Sequence, residues 1–120
     1  MKEKGDLVFI EHILESISAI EDFSKGINKE ELISNRLKQS AIVREVEIIG
    51  EAVKNISEET KKKYPKVKWK EIVGTRDKMI HHYFGVDINI IWEIIKKDLP
   101  ILKKQIYKIK KEINSDSTTS

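Results

Sequence analysis

The sequence predicts an all-α fold, an up-and-down bundle of four to five helices. Glycine (five) and proline (two) are sparse in 120 residues. The apolar residues, dominated by isoleucine, recur at steps of three and four rather than alternating, the period of helices with one buried face. No linker or internal repeat divides the chain, and its length suits one domain.

The first helix is expected from Asp6 to about Ser24, with Leu7, Ile10, Ile13, Leu14, Ile17 and Ile20 on its apolar face and Asp6 as its N-cap. Gly26 and Asn28 break the pattern. A second, longer helix is expected from Lys29 to about Ser57. It carries one row through Ile33, Leu37, Ala41, Ile48, Ala52 and Ile56 and another through Ile42, Val46, Ile49 and Val53, which predicts contacts on two sides. The lysine-rich stretch from Glu58 to Val67 holds at most a short helical turn before Pro65 disfavours continuation. A further helix begins near Trp69 with Ile72, Val73, Met79, Ile80 and Tyr83. Gly74-Thr75 should interrupt it, and Thr75 is expected to cap a fresh start at Arg76. Gly85 ends that helix. Asp87 caps a final segment running through Ile91, Leu99 and Ile106, which Pro100 should kink or divide. The domain is expected to span residues 1–113, and the polar tail 114–120, with nothing to bury, to be disordered.

With no cysteine, the chain has no disulfides, zinc-thiolate sites or thiol nucleophiles. Metal chemistry would rest on three histidines and the carboxylates, and no H-E-x-x-H or comparable ligand spacing occurs, so neither a metal site nor a cofactor is expected. The charged start lacks the apolar core of a signal peptide, and no stretch approaches the roughly 18 apolar residues of a membrane span. A soluble, cytoplasmic protein is expected. The net charge of +3 is weak evidence for nucleic acid, because 23 basic residues stand against 20 acidic ones. The basic residues are lysines except for Arg36, Arg44 and Arg76, so each arginine is worth locating. A domain this small has a shallow core, and a deep cleft would need a second copy.

The stretch from Gly74 to Gly85 departs from this plain pattern, gathering Arg76, Asp77, His81, His82 and Tyr83. Asp77 and His81 lie four apart on a helix, so the carboxylate would hydrogen-bond the imidazole, orient it and favour its protonated form. Arg76 and Tyr83 are seven apart and share a side. Arg76 and His81 differ by about 140° around the axis, a gap the long arginine side chain can bridge. A cap at Thr75 would add first-turn amide groups beside Arg76, a favourable place for phosphate. The same residues also suit a surface helix with ordinary salt bridges. Met79 and Ile80 are read as core, His82 as an interface or surface residue, and His12, without a neighbouring ligand, as structural.

Arg76, His81 and Tyr83 fit R-x-x-x-x-H-x-Y, and here the sequence resembles the HepT-like ribonuclease toxins of the HEPN superfamily of helical domains. The likeness continues through Glu47-Ile-Ile-Gly-Glu-Ala52, Trp69, Ile72-Val-Gly74, Tyr83-Phe-Gly-Val-Asp87, Trp92 and Leu99-Pro100, covering roughly residues 7–110. Asp77 stands where many members place asparagine. The resemblance implies a metal-independent endoribonuclease that acts as a homodimer, two motifs forming one composite cleft. In that setting His81 is the acid/base, Arg76 binds phosphate and stabilises the transition state, and Asp77 orients His81. It also implies an MntA-like nucleotidyltransferase antitoxin as partner, inhibiting the toxin by AMPylation of Tyr83, and products with a 2′,3′-cyclic phosphate and a 5′-hydroxyl.

Glu47 and Glu51 lie on the second helix with Gly50 between them, where glycine allows close approach of another backbone. One of the two glutamates is expected to pair with Arg76 or to stabilise the dimer. The lysines of 61–70 and 103–111 are solvated surface or an RNA track that contacts phosphates. A different class remains as an alternative: a non-catalytic substrate- or nucleotide-binding helical subunit accompanying a nucleotidyltransferase, or a plain dimeric scaffold. Neither has need of both Arg76 and His81.

Overall fold

The computed structural model describes the backbone of residues 2–81 and 87–118 and the side chains of residues 5–79 and 87–115. Helix α1 (Lys2–Ser24) packs chiefly on α3 (Arg36–Asn55) and then on α7 (Leu99–Thr118), while the far side of α3 receives α5 (Trp69–His81). Two short helices, α2 (Lys29–Ile33) and α4 (Glu58–Lys63), fill connections, and α6 (Ile88–Glu93) runs through a π-helical turn (Ile94–Asp98) into α7. The all-α bundle holds, with helix as the regular structure throughout the described residues.

The core follows the isoleucine rows. Ile10, Ile13, Ile17 and Ile20 of α1 are at most 1% exposed, and they meet Ile42, Val46, Ile49 and Val53 of α3 and Leu102, Ile106, Ile109 and Ile113 of α7 in one buried cluster. Each fully buried aliphatic side chain contributes about 1.5–3 kcal/mol, so these three stripes hold the bundle. The other row is mixed: Ala52 and Ile56 are buried with this cluster, whereas Leu37 is 81% exposed and Ile33, on α2, 55%.

Four local expectations are revised. Helix α1 begins at Lys2, so Asp6 lies inside it rather than capping it. Its buried carboxylate accepts from Ser57 N (2.9 Å), Ser57 Oγ (2.7 Å) and Thr60 Oγ1 (2.5 Å), joining α1 to the start of α4. The helix expected over 29–57 is two helices: Asn28 caps α2 by accepting from Glu31 N, and Asn35 caps α3 by accepting from Lys38 N. Helix α5 runs unbroken through Gly74-Thr75, and Thr75 Oγ1 donates back to Glu71 O at 2.9 Å instead of capping. The amides near Arg76 are therefore mid-helix and offer no anion seat.

Other expectations hold. Gly26 adopts φ +73° just after α1, a left-handed conformation in which glycine is unstrained. Asp87 caps α6 by accepting from Asn89 N at 2.9 Å. The π-helical turn sits directly before Pro100, whose missing N–H interrupts the helical ladder there. The end of the chain differs from expectation: Ile113 is the last buried residue described, but helical backbone continues to Thr118, beyond the start of the tail expected at residue 114.

Candidate active site

Helix α5 is anchored at its start by Trp69. The indole is 8% exposed, its Nε1 donates to Tyr64 O at 3.1 Å, and its backbone N donates to Val67 O at 2.9 Å. Tyr64 in turn hydrogen-bonds Glu112 of α7. These contacts set the height of α5 against α3 and so decide which α3 residues meet Arg76.

They bring Arg76 onto Gly50. A Cβ built on Gly50 would fall 2.5 Å from Arg76 Cγ and 3.3 Å from Cδ, so only glycine leaves room for this arginine's stem. The sequence anticipated a close approach at Gly50; the group that approaches is the Arg76 side chain. Its head is held by two carboxylates. Nη2 donates to Glu51 Oε1, and Nη1 to Asp77 Oδ1 at 2.9 Å. The Arg76 side chain is 19% exposed while those of Glu51 and Asp77 are 51% and 47% exposed, which puts the guanidinium at the rim of the α3–α5 junction.

Of the two glutamates singled out, Glu51 therefore pairs with Arg76, whereas Glu47 lies 3.6 Å from Arg44 on its own helix. Lys54, which sequence reasoning did not single out, has its Nζ 3.9 Å from Asp77 Oδ1. Its one sequence signal is its place three residues after Glu51, on the same face of α3. The hydrogen bond to Asp77 raises the Arg76 pKa above its ordinary value against the opposing effect of burial, and the charges of Glu51, Asp77 and Glu47 add to it. Arg76 stays cationic at every pH relevant to RNA. Its Nε is buried and has no hydrogen-bond partner among the described residues.

His81 closes α5, five residues after Arg76, but its side chain lies outside the described residues, as do His82 and Tyr83. Among the described residues, no three His, Asp or Glu side chains are grouped to hold a metal ion, and no helix is long and apolar enough to cross a membrane. Lys61–Lys63 end α4, and Lys103–Lys111 lie on α7, where Lys103 meets Glu21 at 3.0 Å and Lys110 meets Glu11 at 4.0 Å.

Arg76 and Lys54 thus stand against Glu51 and Asp77 in one charged cluster at the α3–α5 junction. Residues 13–109 match the family model described as Ribonuclease HepT-like. The chain is 48% identical over 101 residues to a candidate RNase of Caldanaerobacter subterraneus, covering 84% of this chain and 90% of that one. It is 42% identical over 103 residues to a probable ribonuclease HepT of Thermococcus cleftensis, covering 86% and 94% of the two chains. A Methanocaldococcus jannaschii protein, named as a gamma-glutamylcyclotransferase and candidate RNase, is 42% identical over 109 residues; these cover 91% of this chain but 49% of that protein, about half its length. No solved structure matches the chain.

Proposed function

The chain belongs to the HepT-like ribonuclease family of the HEPN superfamily, and on that premise we propose that it is a metal-independent endoribonuclease working at a composite site between two copies. The observation that carries this reading is Arg76, seated on Gly50 and held by Glu51 and Asp77, on the same helix as His81 and five residues before it. The guanidinium binds the scissile phosphate and stabilises the charge that develops on its oxygens. His81 moves the proton: it takes it from the attacking 2′-hydroxyl or returns one to the departing 5′-oxygen, with Asp77 orienting the ring. As the 2′-oxygen bonds to phosphorus the bond to the 5′-oxygen breaks, which leaves a 2′,3′-cyclic phosphate and a 5′-hydroxyl.

Helix α3 supports the dimer. At about 100° per residue, Leu37, Ala41 and Ile48 share a face with Glu51, a stripe that also carries the exposed Arg44 and leads along α3 to the residue that holds Arg76. Leu37, at 81% exposure, has little of its own chain to pack on. A second copy laid on this stripe would bring two Arg76 sites together. In the same reading the protein is the toxin of a cytoplasmic toxin–antitoxin pair, and a nucleotidyltransferase antitoxin adds AMP to Tyr83, placing bulk and negative charge where RNA would enter.

The experiment is cleavage of an RNA oligonucleotide with and without one 2′-deoxyribose at the cut position. The all-ribose strand is expected to yield a cyclic phosphate end and the substituted strand to resist; equal cutting of both would overturn the 2′-hydroxyl mechanism. For the tyrosine, the transferase with ATP should label wild type but not Tyr83→Phe, and equal labelling would remove Tyr83 from that role.

A further inference from the structure

In the free protein Arg76 is not an open phosphate site. The stem lies against Gly50 on the α3 backbone, which places the head beside Glu51. Two carboxylates already occupy its nitrogens, and Lys54, 3.9 Å from Asp77, balances the second of them. Arg76 and Lys54 against Glu51 and Asp77 leave this cluster with no net positive charge to draw an anion. A phosphate that enters must replace one carboxylate.

The two carboxylates are not equivalent. Asp77 is the next residue on the same helix and also faces Lys54. Glu51 reaches across from α3 on a longer side chain, is half exposed, and binds Nη2 through one oxygen. Nη2 shares an edge of the planar guanidinium with Nε, the edge that takes carboxylates and phosphates through two parallel hydrogen bonds. Here Nε is buried and lacks a partner among the described residues, so the Glu51 contact satisfies one donor of that pair. An RNA phosphodiester, with its two unesterified oxygens on one phosphorus, satisfies both.

We infer that Glu51 is a latch on Arg76: its carboxylate occupies the phosphate-binding edge of the guanidinium in the free protein, and an RNA phosphate takes its place. Glu51 is thus a residue that sets RNA affinity and excludes weaker anions, not a catalytic residue. This rests on the ribonuclease reading of the site.

The test uses a 2′-O-methyl RNA oligonucleotide, which binds but resists cleavage, titrated by fluorescence anisotropy at several KCl concentrations against wild type, Glu51→Gln, Arg76→Ala and the double variant. Glu51→Gln is expected to tighten binding about three- to tenfold with little change in the slope of log K against log salt, because the same phosphate meets Arg76 in both proteins. Arg76→Ala should weaken binding, and adding Glu51→Gln to it should change nothing further. Glu51→Ala, lacking any acceptor, should move affinity in the same direction as Glu51→Gln. Unchanged or weaker binding by Glu51→Gln would overturn the latch, as would equal tightening in the Arg76→Ala background, which would mark a bulk charge effect. If Arg76→Ala itself leaves affinity and salt slope untouched, it is the placement of RNA at Arg76, and with it the proposed function, that fails.

Discussion

Gly50 lies in the interior of α3, where glycine costs about 0.5–1 kcal/mol relative to alanine. That cost is offset by what glycine admits, the stem of Arg76 lying directly on the α3 backbone. Gly50→Ala would gain helix propensity yet force Cβ into Arg76 Cγ at 2.5 Å, and overpacking of this kind costs about 1–3 kcal/mol. A net destabilisation of about 1–2 kcal/mol is expected in urea denaturation, with RNA cleavage falling more than tenfold because the arginine head is displaced. A variant as stable and as active as wild type would show that the stem does not need this seat. The glycine was legible as a site of close approach, since a mid-helix glycine asks for a reason. What would approach was not, because that depends on the height at which Trp69 sets α5. Glu47 and Glu51 likewise share a face of α3, and spacing alone does not choose between them; the register of α5 brings Arg76 to Glu51.

At the scale of elements, the buried stripes of α1, α3 and α7 were readable because burial follows the helical period. The connections were less so. Ile33 and Leu37 keep a four-residue spacing across Ser34-Asn35, which hides the break between α2 and α3, although Asn35 is a good capping residue. Asp6 looked like a cap for the helix that follows it, yet it serves α4 from more than 50 residues away. Its role depends on tertiary packing that no local pattern records. Asp6→Ala would leave the Ser57 amide and the Ser57 and Thr60 hydroxyls without their acceptor, a loss of about 3 kcal/mol for a buried charged acceptor with several donors. Thermal unfolding should show a clear drop in Tm, with Asp6→Asn intermediate; an unchanged Tm would mean that water replaces the carboxylate at no cost. Thr75 illustrates the reverse case. Its hydroxyl can cap or bond back to the preceding turn, and the packing of α5 as one rod selects the second.

For the whole molecule, the proposed composite site takes one half from each copy: a cation held at the junction of α3 and α5, the exposed Leu37 of α3, and His81 at the end of α5. The proposed dimer joins two such halves, and a solution mass of one protomer at micromolar concentration would contradict it. Metal-free RNA cleavage by Arg76 and His81 is the activity proposed. It is tested most directly by measuring RNA cleavage in EDTA for wild type, Arg76→Ala and His81→Ala, each confirmed as folded by its helical circular dichroism. Wild type should remain active, and each substitution should lower the rate by about 100-fold or more. Cleavage undiminished in both variants, or abolished in wild type by EDTA, would contradict it.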